Sequence, residues 1–263
     1  MNYPDFPPSA PPMPESQPPS PQMVRLSAPS VRPVVTYGLI ALCVVVYLGQ
    51  FASQAYFGFD LLAGLGMKVD ESILAGQLWR LFTPMFLHGS LLHIAFNMYA
   101  LHSLGRGLEG TYGHVRFLLL FLVGGRGRVA GNVASFAFTP ANSLGSSTAI
   151  FGLLAAEAVF FYQNRAIFTH QATRALSNIT TIAIVNLVIG FTAANIDNWG
   201  HIGGALGGAA FAWLAGPLLK VSGLYPNLEL VDERGTNQAW LAATGVGFFL
   251  ALIAALLIFL RLD

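Results

Sequence analysis

Leu144-Gly145-Ser146-Ser147-Thr148-Ala149-Ile150-Phe151-Gly152-Leu153-Leu154 runs from a loop-like Gly-Ser-Ser-Thr stretch straight into an apolar helix. A glycine two residues before a serine suits a tight turn, and the residues after it have the composition to enter lipid. Small residues and serines are also ordinary at membrane helix ends and helix contacts, so this stretch alone does not define a site. A second stretch gives it weight. Asp197-Asn198-Trp199-Gly200-His201-Ile202-Gly203-Gly204-Ala205-Leu206-Gly207-Gly208 also opens an apolar helix, with His201 lying 54 positions after Ser147. A serine and a histidine at the starts of two membrane helices are the raw material of a catalytic dyad.

Composition sets the class. Of 263 residues, 54% are hydrophobic and 10% charged, and the mean hydropathy is +0.60. This is the profile of an all-α polytopic membrane protein. A net charge of +1 gives no electrostatic reason to bind nucleic acid. The single Cys43 can form no internal disulfide.

Residues 1–33 hold most of the prolines and read as a disordered, cytoplasmic tail. They lack the pattern of a signal peptide, so the first apolar helix is expected to be retained. Val34 to Phe51 gives 18 residues without a formal charge, the first span. Residues 57–90 mix Asp60, Lys68, Asp70 and Glu71 with an amphipathic piece carrying Leu78, Trp79, Phe82, Met85 and Phe86, as a segment in the membrane interface does. Further helices are expected over Leu91–Leu104, Val115–Phe138, Ser147–Tyr162, Ala175–Ala194 and Gly200–Leu219. A linker at 220–238 precedes a last apolar helix in 239–263, with 22 uncharged residues from Ala239 to Leu260.

Lysines and arginines set the orientation. With the tail inside, eight fall on the cytoplasmic side (Arg25, Arg32, Arg106, Arg116, Arg165, Arg174, Lys220, Arg234) against three outside (Lys68, Arg80, Arg261). The asymmetry favours a cytoplasmic N-terminus and an outside C-terminus in the plasma membrane. Ser147, His201 and His93 then all open inward-running helices near the outer face.

His93 and Asn97 are spaced i and i+4 and share a helix face. They can hold a developing oxyanion or bond neighbouring helices, and spacing does not separate the two roles. His201, Gly204 and Gly208 fall at i, i+3 and i+7, so the histidine's own face is stripped of side chains and admits another backbone. If that backbone is the Ser147 helix, the imidazole reaches Ser147 and Phe151 packs on its ring. Asp197 is read as a loop residue. No metal or other cofactor is implied, because clustered ligands and an H-E-x-x-H motif are absent. Asn178-Ile179-Thr180 fits a glycosylation acceptor but lies in a span.

Leu78-Trp79-Arg80, then Thr83-Pro84-Met85-Phe86-Leu87-His88-Gly89, His93-x-x-x-Asn97, Gly145-Ser146-Ser147 and His201-Ile202-Gly203-Gly204 together resemble the rhomboid intramembrane serine proteases. The resemblance covers about Val34 to Leu219. It implies a six-helix catalytic core (34–219) with a water-filled cavity open to the outside, and a seventh C-terminal helix as an addition. It implies Ser147 as nucleophile, His201 as general base, and an oxyanion hole from the Ser147 backbone N–H with His93 and Asn97. Trp79 and Arg80 would belong to a structural loop, and residues 192–198 to a cap over the site. Transmembrane protein substrates are the partners implied.

Two positions depart from the pattern. Thr148 stands where the family usually has glycine, so crowding beside the nucleophile is expected and Thr148→Gly should leave activity equal or raised. Arg126 and Arg128 fall midway along the expected third span, where a charge is costly unless it faces a cavity or pairs with a carboxylate such as Glu157. Two other classes compete: a catalytically inactive relative that binds membrane partners, and a transporter or structural bundle. The joint presence of Ser147, His201, His93 and Asn97 argues against the first, and the absence of internal repeats against the second.

Overall fold

The computed structural model describes Leu26 and residues 30–123, 127–138, 142–192 and 196–262. Most of the expected tail, Arg126, the side chain of Arg128 and residues 193–195 of the expected cap lie outside the described residues.

Helix α1 covers Val34–Phe57, six residues beyond its uncharged core, and stops where Gly58 takes a left-handed φ of 79°. Two short helices, α2 (Leu61–Gly66) and α3 (Asp70–Leu74), and two 3-10 turns, Leu78–Leu81 and Thr83–Phe86, build the long connection. Helix α4 runs from Leu91 to Tyr112, passing the expected stop at Leu104 because Glu109 is buried in use: its carboxylate accepts from the backbone N–H of Val35 (2.8 Å) and Thr36 (2.7 Å) at the start of α1. The expected third span appears as α5 (His114–Val123) and α6 (Gly127–Phe138).

Helix α7 covers Ser147–Gln163 and α9 Asn198–Ala215. Between them α8 (Arg165–Thr192) starts ten residues before the expected helix, with a non-helical Thr169 inside it. The expectation of a plain linker in an otherwise all-α chain needs correction. Strands β1 (Leu219–Ser222) and β2 (Glu229–Asp232) form an antiparallel hairpin with Leu219 opposite Asp232. Leu219 and Leu230 are buried against the helical core, while Lys220, Val221, Ser222 and Val231 are exposed. Helix α10 (Thr236–Leu262) completes the chain.

Among the described residues three helices, α1, α8 and α10, are long and apolar enough to cross a membrane. They are peripheral, with most of each surface facing outward. The centre is α7 and α9, packed along each other and surrounded by α4, α5, α6, α8 and α10. At 1.5 Å per residue, the 17 residues of α7 span about 25 Å, less than a hydrocarbon layer of about 30 Å. Of the helices around it, α4, α8 and α10 are longer and α5 and α6 shorter still. The shared core is Leu101 and Leu108 of α4, Phe117 and Phe121 of α5, Leu153 and Phe160 of α7, and Phe211 of α9.

Candidate active site

The serine loop is held from the long connection. The backbones of Lys68 and Ser143 exchange N–H to carbonyl bonds (3.0 and 3.3 Å), and the N–H of Gly145 donates to the Pro84 carbonyl at 3.0 Å. Gly145 takes a φ of +124°, and a Cβ there would lie 2.5 Å from the His93 imidazole. Glycine is required twice over, by the backbone angle and by the ring against it. The next residues enter α7 with Ser147 as its first helical residue.

Helix α9 delivers the histidine. Asp197 caps it, its carboxylate accepting from Gly200 N at 2.9 Å. His201 Nε2 lies 2.9 Å from Ser147 Oγ. The imidazole is stacked on Phe151, one turn below the serine, with centroids 4.3 Å apart and planes within 6°. This approach depends on missing side chains. A Cβ on Gly204 would lie 2.2 Å from the Thr148 carbonyl oxygen, and one on Gly208 2.2 Å from that of Gly152.

Thr148 is not crowding the site. It is 4% exposed and sits in a socket lined by three glycines from two helices. Cβ atoms built on Gly131, Gly204 and Gly200 would lie 2.2 and 2.9 Å from its methyl and 3.2 Å from its hydroxyl respectively. Room for the β-branch has been made in α6 and α9, so the expected gain from Thr148→Gly loses its physical basis.

His93 stands at the first turn of α4, its N–H capped by Ser90 Oγ at 3.2 Å. Asn97 follows one turn on, 6% exposed, with an amide nitrogen that has no protein acceptor among the described residues. A buried amide donor without a protein acceptor calls for a partner, and it lies one turn beyond the His93 ring that packs against Gly145.

Trp79 and Arg80 do not reach the Ser147–His201 pair. Trp79 Nε1 donates to the Leu65 carbonyl (3.0 Å), and Arg80 donates to the carbonyls of Met67 and Gly64 (both 2.8 Å), pinning the connection to α2. Two residues that sequence reasoning did not single out belong to the loop. Ser146 is fully buried and 3.2 Å from His88 Nε2, and the His88 ring lies edge-on to His93 at 5.3 Å. His88 is in turn bracketed by Gln50, which accepts from its N–H and donates to its carbonyl. The signal was available, since His88 and Ser146 lie inside the Thr83–Gly89 and Gly145–Ser147 stretches, where neither was given a role.

A helical bundle of membrane-spanning length, holding a serine and a histidine at hydrogen-bond distance on the starts of two buried helices, defines the class. Residues 75–218 match the family model described as the Rhomboid domain, and the chain belongs to the rhomboid family. It is 37% identical over 217 residues to Rhomboid protease GluP of Bacillus subtilis (strain 168), covering 82% of this chain and 40% of that protein. It is 33% identical over 177 residues to RHOMBOID-like protein 1 of Arabidopsis thaliana (64% and 44% of the two chains). It is 30% identical over 204 residues to Rhomboid-like protease 1 of Toxoplasma gondii (74% and 63%). The chain thus spans well under two thirds of the first two relatives. Family and apolar helices together indicate a multi-pass integral membrane protein.

Proposed function

We propose that this chain is an intramembrane serine endopeptidase that cuts transmembrane segments with a Ser147–His201 dyad. The observation that carries the reading is the 2.9 Å contact between His201 Nε2 and Ser147 Oγ. His201 accepts the serine proton as Oγ attacks a peptide carbonyl, then returns it to the leaving amine. Water hydrolyses the acyl-enzyme by the same proton path. The stacked Phe151 holds the ring in plane and favours its cationic form once the proton has moved. Asp197 accepts from the Gly200 N–H through Oδ1 and so acts as the cap of α9.

The oxyanion falls to the Ser147 N–H, which has no acceptor within its own helix as a first-turn group, and to His93 and Asn97. The short α7 recesses the chemistry below the membrane surface, on the outer side if the arginine asymmetry sets the N-terminus inside. Substrates are membrane proteins whose helix end unwinds, because a peptide carbonyl must leave its helical bond to be attacked. Gly or Pro a few residues inside the cut accelerates cleavage, and a polyleucine span resists it.

The test is labelling of the membrane-embedded protein by a fluorophosphonate, alongside cleavage of a single-span substrate. Ser147→Ala and His201→Ala are expected to lower cleavage by about four to six orders of magnitude while the protein still folds. Normal cleavage by either variant overturns the dyad.

A further inference from the structure

At the end of the bundle away from Ser147, the start of α1 and the last turns of α4 enclose an open cavity of about 570 Å³, lined by Ser30, Tyr37, His102, Ser103 and Arg106 among others. The geometry points to a binding site for the phosphate headgroup of an anionic phospholipid, with Arg106 as its charged ligand. The inference is independent of the proposed protease activity.

Three observations carry it. The first is charge: among the described residues the lining holds a guanidinium, an imidazole, two serine hydroxyls and a phenol but no carboxylate. Glu109, three residues beyond Arg106 on α4, is turned away, bonded to Val35 N, Thr36 N, Thr36 Oγ and His114 Nδ1 at 2.6–2.8 Å. Among the described residues Arg106 makes no ion pair, whereas Lys68, Arg116, Lys220 and Arg261 each do.

The second is depth. Arg106 lies 13 residues after His93 on one continuous helix, about 20 Å along its axis. That places it toward the opposite membrane interface, where headgroups are.

The third is shape. Leu92, Phe96, Tyr99, Ser103 and Arg106 alternate at spacings of four and three, so they form one stripe on α4. The first three are apolar and 69–71% exposed, and the stripe ends at the polar, cationic cavity. An apolar track capped by a phosphate ligand matches a phospholipid, acyl chain along the helix and headgroup against the guanidinium.

The experiment is native mass spectrometry of the full chain titrated with phosphatidylglycerol, phosphatidylcholine or inorganic phosphate, with thermal unfolding in detergent as the folding control. Phosphatidylglycerol is expected to be retained in preference to phosphatidylcholine. Arg106→Gln should cut that preference about fivefold, and Arg106→Lys should restore most of it. Equal retention of the two lipids, or a preference unchanged in Arg106→Gln, overturns the site. Displacement of phosphatidylglycerol by inorganic phosphate at matching concentrations overturns the lipid as ligand and assigns the cavity to a soluble phosphate. An Arg106→Gln protein that no longer unfolds cooperatively is judged by Arg106→Lys instead, whose loss of preference would count against the proposal.

Discussion

Helices α7 and α9 are held together in opposite ways at their two ends. At the dyad end the contact is made by atoms that are absent: Gly200, Gly204 and Gly208 bring α9 onto α7, and Gly131 brings α6 onto both. At the far end it is made by polar side chains reaching across gaps. Gln163 of α7 donates to the Trp213 carbonyl of α9 at 3.2 Å, Arg234 joins Gln163 Oε1 to Gly216 O at 3.2 and 2.9 Å, and Asn164 clamps Leu219 N and Pro217 O at 2.7 and 3.0 Å, while Arg116 of α5 ties in the hairpin through the Asp232 carboxylate and the Arg234 carbonyl. The first end is damaged by adding atoms and the second by removing them. The reason is geometric: bringing the His201 imidazole to the Ser147 hydroxyl needs two backbones in close contact, while the far end, where chain enters and leaves the helices, has loops and a hairpin to satisfy its polar groups.

The sharpest way to break the contrast is a Cβ at the seam. Gly208→Val must push against the Gly152 backbone, and it is expected to lower stability by about 3 kcal/mol or more. Gly245→Val on α10, where a Cβ meets nothing within 4 Å, should stay within about 1 kcal/mol of the parent. Thermal unfolding in detergent measures both, and equal effects would mean the seam is not tight.

At the other end, Asp232→Ala strands the largely buried Arg116 guanidinium and is expected to lower stability by about 3 kcal/mol. Cleavage per folded molecule should be unchanged, so a selective loss of activity would tie the hairpin to the chemistry.

Thr148→Gly empties the glycine socket and is expected to lose about 1–2 kcal/mol and to slow cleavage. Thr148→Val keeps the methyl and should retain the parent rate, measured as kcat against KM on one substrate. A faster glycine variant would return Thr148 to the role of an obstruction.

The smallest effect is reserved for Asp197→Ala, which removes a helix cap and should lower stability by about 1 kcal/mol. The pH profile of cleavage should not shift, and a shift would make Asp197 part of the proton path.

The arrangement of Ser147, His201 and Phe151 was legible because helical periodicity links residues one turn apart and a run of glycines announces a close backbone. The extra turns of α1 and α4 were not, because a burial partner hides the cost of a charge: Glu109 reads as a helix end until α1 is seen to use it. The hairpin was missed for a similar reason, since four-residue strands carry little periodicity. Thr148 was read against a family pattern, and its neighbours in space, 17 residues before it and 52 to 56 after it, carry no local signal in the sequence.

That socket also has a meaning for descent. A threonine beside the serine excludes a side chain at 131 and 204 and crowds one at 200, so these positions do not drift independently of it. A lineage that placed a side chain at Gly131 would first have to give up the β-branch at 148, and even then would meet the carbonyl of Gly200. The order in which such changes accumulate is therefore constrained, and homologues that carry threonine here should carry the glycines with it.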